Sequence, residues 1–270
     1  MSSSSPDRLD PGGIAHAAIH EPPPAIELTG VSKVYGRGDE AVVALEHLDL
    51  SVSDGSFVSL VGASGCGKST LLSLVAGLDQ PTTGTVKVWG GRPALIFQEA
   101  ALFPWLTAAE NVELALRLRG TSRAVRREAV ADLLERVHLT GFGAKRPHEL
   151  SGGMRQRVAI ARALAQDVRI LLMDEPFGAL DAITRDLLHE VVDELWHDTG
   201  MTIVFVTHNV REAIRLSERV VLLSSRPGHV VADYPVRIAG RRRIEAPEVS
   251  ELAIVIGRQL AEEVRRHGDR

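Results

Sequence analysis

The stretch Gly62-Ala63-Ser64-Gly65-Cys66-Gly67-Lys68-Ser69-Thr70 decides how this chain is read. It fits the phosphate-binding pattern G-x-x-x-x-G-K-[ST], and its surroundings are those the pattern needs. Ahead of it, Phe57-Val58-Ser59-Leu60-Val61 is a short apolar run that reads as a buried strand. Behind it, Leu71, Leu72, Leu74, Val75 and Leu78 recur at helical spacing. Glycines let several backbone N–H groups converge on phosphate oxygens, and the following helix aims the positive end of its dipole at them. Lys68 is placed to reach the β- and γ-phosphates of a nucleotide, and the Ser69 hydroxyl to ligate Mg²⁺. Cys66, beside Lys68 and at a helix start, is expected to be a reactive thiol, because both neighbours favour the thiolate.

The rest of the composition narrows the class. With 270 residues the chain can bury a large core in one domain, or in one domain and a subdomain. An apolar fraction of 44% and a charged fraction of 24% are those of a globular protein. The 31 basic residues are outweighed by 35 acidic ones, a net charge of −4 that leaves no footprint for DNA or RNA, so no nucleic-acid partner is expected. Cys66 is the single cysteine, which excludes an intrachain disulfide and fits a reducing compartment. No apolar run reaches the roughly eighteen residues of a membrane span, and the Met1-Ser2-Ser3-Ser4-Ser5-Pro6 start lacks the pattern of a signal peptide.

Strand candidates at Ile26-Glu27-Leu28, Val42 to Leu50 and Thr85 to Trp89 surround the glycine loop, the last following the turn Pro81-Thr82-Thr83-Gly84. Thr107 to Leu139 is helical in pattern, a further helix runs on from Gly152-Gly153, and another spans about Ala182 to Trp196. Val168 to Met173 and Thr202 to Thr207 read as strands, so strands and helices alternate and a mostly parallel sheet is expected. The run Ile170-Leu171-Leu172-Met173-Asp174-Glu175 ends in two carboxylates at the carboxyl end of a buried strand, where ligands of such sheets collect. Asp174 suits Mg²⁺, and Glu175 can take a proton from an attacking water.

Leu150-Ser151-Gly152-Gly153-Met154-Arg155-Gln156-Arg157 lies between the glycine loop and the Asp-Glu pair, with Ser151 and both glycines just before a helix. In that order and at that spacing the three motifs resemble those of ATP-binding cassette (ABC) proteins, over roughly residues 26 to 230. The resemblance implies an α/β fold with a P-loop NTPase (RecA-like) core, an N-terminal antiparallel β subdomain and a helical signature subdomain. It implies that ATP is held by residues Gly62 to Thr70 and that Mg²⁺ is held by Ser69, Gln98 and Asp174. Tyr35 looks like the aromatic residue that stacks on adenine. Gln98, after Ala94-Leu95-Ile96-Phe97, looks like the glutamine that senses Mg²⁺ and water. Asp181 looks like the aspartate that communicates across a dimer. His208, 33 residues after Glu175 at the end of the next strand, looks like the histidine that holds the γ-phosphate. In such proteins Ser151, Gly152 and Gly153 of one subunit close over ATP held by the loop of a second copy, so a homodimer is implied.

Within the family, Phe97 to Leu106, Asn111-Val112, Asp174 to Asp181, Met154 and Arg226-Pro227-Gly228 look like the nitrate, sulfonate and taurine importer branch, and most like aliphatic sulfonate import ATPases. The link Trp89-Gly90-Gly91-Arg92-Pro93 is shorter than in that branch. Import implies two transmembrane permease subunits, indirectly a solute-binding protein, and a peripheral location on the cytoplasmic face of the cell membrane. Leu102 to Leu106 suits either a groove for a helix of a membrane subunit or the core of the helical lobe. The expected organisation is a disordered tail at 1–24, the ATPase domain at 25–235 with its helical subdomain at about 99–165, and a C-terminal basic segment and amphipathic helix at 236–270. In that last part Arg241-Arg242-Arg243 reads as a solvated charge run or a contact for lipid headgroups. Val249, Leu252, Ile256, Leu260 and Val264 read as one packed helix face. Two other readings stand beside an import ATPase: a soluble ABC ATPase acting on DNA or ribosomes, and a nucleotide-gated module without hydrolysis. The chain has no long coiled coil or second cassette, and it has Lys68, Asp174, Glu175 and His208; these features weigh against the two in turn.

Overall fold

A computed structural model describes residues 24–238, 240 and 242–268. Apart from Pro24, the expected N-terminal tail lies outside these residues, as does Arg241. Two sheets carry the molecule. The first is antiparallel, in the order β2 (Val42–Ser53), β1 (Pro24–Tyr35), β4 (Thr83–Val88). The second has the order β5 (Ala94–Ile96), β6 (Ile170–Asp174), β7 (Thr202–Thr207), β3 (Phe57–Val61), β8 (Arg219–Leu223), β9 (Val230–Pro235), and only β9 runs antiparallel to its neighbour.

All five residues of β3 and all six of β7 are buried. Such strands are mostly apolar, with Ser59, Thr202 and Thr207 the polar exceptions, because both faces of a parallel sheet are covered. Alternate residues feed different cores. Phe57, Leu171, Met173, Ile203 and Phe205 face α4 (Gly152–Leu164) and α5 (Ala182–Thr199). Val58, Leu60, Ile170, Leu172, Val204 and Val206 face α1 (Lys68–Val75) and the antiparallel sheet. The antiparallel sheet shows the opposite signature, with Leu45, Leu48, Leu50 and Val52 buried while Glu46, Asp49 and Ser51 face water. A third core joins β8 to α6 (Val210–Leu216) and α7 (Pro247–Gly268).

The expected α/β architecture is present, and several local expectations change. The segment from Thr107 to Leu139 forms two helices, α2 (Ala108–Leu118) and α3 (Arg123–Arg136), parted at Gly120, whose φ of +82° no continuing helix permits. Strand β5 stops at Ile96, before Phe97, and β6 begins at Ile170 instead of Val168. On α7, Val249 and Ile256 are fully buried as expected, but Val264 is exposed. Glu263 turns inward instead, its carboxylate bonded by Arg266 (2.8 Å). Asn111 explains its own place on α2: its side chain donates to the carbonyls of Phe103, Leu106 and Thr107 and accepts from the Phe103 N–H, pinning the loop ahead of the helix.

Candidate active site

The glycine loop joins β3 to α1. Gly67 has φ +97°, and a Cβ there would lie 2.6 Å from Leu45 Cδ2 and 2.7 Å from the Ala44 carbonyl, so only glycine lets β2 press this closely. A turn from far along the chain closes on the other side: a Cβ at Gly228 would lie 2.1 Å from the Cys66 carbonyl oxygen, and Arg226 Nε reaches the Gly65 carbonyl (3.4 Å). The first N–H groups of α1 have no intrahelical acceptor and face this loop. Lys68, 5% exposed, curls back so that Nζ donates to the carbonyls of Gly62 and Ala63, each at 2.9 Å.

The carboxyl end of β6 meets the loop. Ser69 hydrogen-bonds Asp174, whose carboxyl is raised from its ordinary value chiefly by burial, with Glu175 adding to the rise and Ser69 and Lys68 opposing it. Glu175 follows in the left-handed region, at φ +44°, with its N–H given to the Val206 carbonyl (3.0 Å). A non-glycine residue in that region is strained, and strain of this kind gathers where side chains are aimed for use. One Glu175 oxygen lies 3.9 Å from Lys68 Nζ, and the other lies 2.9 Å from His208 Nδ1. A carboxylate oxygen accepts, so Nδ1 carries the proton of that bond and Nε2 faces outward. Gln98 belongs to the same neighbourhood, since a Cβ on Gly178 would lie 3.3 Å from its Nε2 and 3.9 Å from Glu175 Oε2.

The remaining expected residues stand apart from this group in their contacts. Ser151 caps α4 by accepting from Met154 N (3.2 Å), and Asp181 caps α5 by accepting from the Thr184 N–H (3.0 Å) and hydroxyl (2.7 Å). That Thr184 N–H holds the Asp181 carboxyl below its ordinary value. Gly152 approaches Leu180, and a Cβ on Gly153 would overlap Thr184 Cγ2 at 2.0 Å, so the two helix starts are pressed together. Tyr35 is half exposed at the end of β1, its hydroxyl donating to Asp79 (3.1 Å) and Lys33 Nζ standing 4.9 Å over its ring. Cys66 departs from expectation: it is 1% exposed, and burial raises its thiol against the opposing pull of Lys68. The ammonium is turned to the loop carbonyls, and only a 3.8 Å contact reaches Sγ.

Hard oxygen donors suit Mg²⁺, which keeps several waters and takes one or two protein ligands alongside substrate phosphates. Ser69 Oγ and the Asp174 carboxylate, already in contact, are such a set, with the Gln98 amide close by. Among the described residues, no three His, Cys, Asp or Glu side chains gather into a larger cluster.

The ABC transporter family model matches residues 45–178, which take in the glycine loop, Gln98, Ser151 and the Asp174–Glu175 pair. A nitrate import ATP-binding protein of a Synechocystis species is 45% identical over 222 residues, covering 80% of this chain and 84% of the relative. This chain belongs to the ABC transporter family. A taurine import ATP-binding protein of Burkholderia pseudomallei is 44% identical, covering 86% of this chain and 95% of its own. An aliphatic sulfonates import ATP-binding protein of Bacillus cereus is 45% identical, covering 76% and 83%. The identities place the chain in the nitrate, sulfonate and taurine branch and do not separate the three. Among solved structures, a dimeric ATP-binding cassette in a post-hydrolysis state, bound to ADP and Pi, superposes with a TM-score of 0.70 at 35% identity, covering 79% of this chain and all of that one.

Sequence reading missed several residues that shape this candidate site. Gln156 is buried on α4 and donates through Nε2 to the backbone carbonyls of Gln98 (2.6 Å) and Phe97 (3.2 Å), tying the helix behind Ser151 to the segment carrying Gln98. Its oxygen has no partner. Arg226 and Gly228 served only as marks of resemblance, although they touch the loop itself. A polar residue inside an apolar helix stripe was the available signal for Gln156.

Proposed function

We propose that this chain is the ATP-hydrolysing subunit of an ABC importer, and that the cargo is an aliphatic sulfonate. The observation carrying the hydrolytic reading is the convergence on Glu175, with Lys68 at 3.9 Å on one oxygen and His208 at 2.9 Å on the other. In this reading the loop N–H groups from Gly62 to Thr70 and the Lys68 ammonium hold the ATP phosphates, which draw Lys68 away from the Gly62 and Ala63 carbonyls. Tyr35 takes the adenine once its ring turns from Lys33. Ser69, Asp174 and Gln98 hold Mg²⁺, which when bound neutralises charge on the β- and γ-oxygens. A water attacks the γ-phosphorus: its oxygen forms the new P–O bond, the bond to the β-phosphate oxygen breaks, and the water's proton goes to Glu175. His208, held by Glu175 through Nδ1, offers Nε2 to the γ-phosphate.

One loop leaves the far side of the γ-phosphate open to water. A second copy arranged head to tail, bringing Ser151, Gly152 and Gly153 over it with Asp181 alongside, closes two sites at once. The solved cassettes of similar fold are described as dimeric, which supports this arrangement. Two permease subunits are the further partners, with a solute-binding protein beyond them, and the subunit sits peripherally on the cytoplasmic face of the membrane. Among the described residues no helix is long and apolar enough to cross a membrane. Phe103 and Trp105, both exposed with ring centroids 5.6 Å apart, favour the groove for a permease helix over the lobe's core as the role of their segment.

Glu175→Gln tests the hydrolytic reading. The amide cannot accept the proton, so turnover should fall at least a hundredfold while ATP affinity is kept and an ATP-dependent dimer accumulates on gel filtration. Wild-type turnover in purified Glu175→Gln protein would sink the assignment.

A further inference from the structure

Behind the His208–Glu175 pair lies a buried polar network to which the proposed reaction assigns no task. His189, on α5, is wholly buried, with Nε2 2.8 Å from Glu212 Oε1 on α6 and Nδ1 2.9 Å from Arg215 Nη1. Arg215 also donates to Asp186 (2.9 Å), whose carboxylate stands 3.6 Å from the same His189 nitrogen, too far for a hydrogen bond. Glu212, 4% exposed, takes the Thr207 hydroxyl on its other oxygen, and Thr207 Oγ1 accepts the Asn209 N–H (3.0 Å). Asn209 closes the circuit by capping α6, accepting from the N–H groups of Arg211 and Glu212.

Donor and acceptor rules fix every polarity in this chain of contacts. Arginine only donates, so Nδ1 of His189 must accept and the imidazole proton sits on Nε2, where it is given to Glu212. Thr207 accepts from Asn209, so its hydroxyl hydrogen goes to Glu212, which takes a donor on each oxygen. A fully satisfied network in a low-dielectric interior is rigid, because moving one member leaves another unpaired.

Both ends of the network adjoin the reacting pair along the chain. Thr207 directly precedes His208, and Phe177, two residues beyond Glu175, packs edge-on to the His189 ring at 5.2 Å. We propose that His189 and Glu212, acting through Thr207, are positioning residues that hold the His208 imidazole on Glu175 during hydrolysis. The proposal rests on the hydrolytic reading of Glu175 and His208 given above.

The test uses the full-length chain and two pairs of variants. His189→Leu removes both ring contacts, whereas His189→Gln keeps an N–H for Glu212 and an oxygen for Arg215. Thr207→Val removes the hydroxyl with little change of shape, and Thr207→Ser restores it. Binding of a fluorescent ATP analogue, steady-state hydrolysis, thermal unfolding and imidazole NMR of isotope-labelled histidine are measured for each. In the wild type a slowly exchanging Nε2–H belonging to His189 is expected. His189→Leu and Thr207→Val should bind nucleotide within about twofold of wild type, with KM unchanged and kcat down about tenfold, while the Gln and Ser variants recover most of kcat. The His208 ring signals should shift in the first pair and not in the second. Wild-type kcat and unmoved His208 signals in His189→Leu and Thr207→Val would overturn the proposal, as would a His189 whose proton rests on Nδ1. Glu175→Gln assayed alongside separates the two failures: if it hydrolyses normally the underlying reading falls, and if it is inactive while His189→Leu is not, only the positioning role falls. Should His189→Leu not fold, the Thr207 pair decides.

Discussion

Cys66 illustrates how one side chain can be read correctly for place and wrongly for chemistry. A helix start and a lysine two residues on both favour a thiolate, yet the side chain is buried in the core that holds Leu45, Leu71 and Leu223, and desolvation of a would-be anion outweighs the nearby cation. The thiol is therefore raised above its ordinary value of 9.0. Because the neutral thiol is the form favoured in the folded chain, maleimide labelling at neutral pH should be slower than in the same chain unfolded in urea, and its rise with pH should come later. Equal rates in the two states would contradict this environment. Neither the enclosure nor the His189 network was visible from residue order, because the first depends on segments from far along the chain and the second on how α5 and α6 pack together. Lys68, Ser69, Asp174, Glu175 and His208 were visible, because strand ends and helix starts of this fold put such residues at one edge of the sheet.

At the level of elements, α4 and α5 begin against one another with no room for a β-carbon at Gly153. Gly153→Ala should push Thr184 aside and destabilise the fold by about 1–3 kcal/mol, the ordinary range for overpacking. Thr184→Ser removes the methyl that blocks the site while keeping the hydroxyl that donates to Asp181 (2.7 Å), so the double variant should regain most of the loss. Chemical denaturation of the two single variants and the double measures this, and additive losses would refute the proposed clash. Elements were legible in proportion to their length and purity. Strands β3, β6 and β7 are largely apolar runs and α5 has eighteen residues, so both declared themselves. Seven-residue α6 gives less than two turns of pattern, and β8 and β9 were passed over although Pro227-Gly228 marks the turn between them. Gly120 was read through as helix because the apolar spacing resumes on either side of it.

For the molecule as a whole, the cargo is the least legible property. The subunit that binds nucleotide is expected never to touch what is carried, so its residues bear only the imprint of a permease surface. A strain lacking this gene should lose uptake of labelled aliphatic sulfonates by tenfold or more while keeping nitrate and taurine uptake. Retained sulfonate uptake, with loss of one of the others, would move the subunit to that transporter. The fold itself was far easier to read, because the alternation of strands and helices fixes a parallel sheet before any side chain is assigned a role.

Strand β3 lies between β7 and β8, so the strand that launches the glycine loop acquires both neighbours only once synthesis has passed Arg219. On the ribosome, Phe57 to Val61 emerge early with both edges bare. They stay so while some 140 further residues are added before β7 begins, by the positions of the two strands. The turn that closes on Cys66 arrives later still, at Gly228. Nucleotide therefore cannot help the nascent chain to fold until synthesis has passed Gly228. A messenger broken between the codons of Val61 and Thr202 leaves a sticky, unpaired apolar segment, which makes truncated products natural clients for chaperones and proteases.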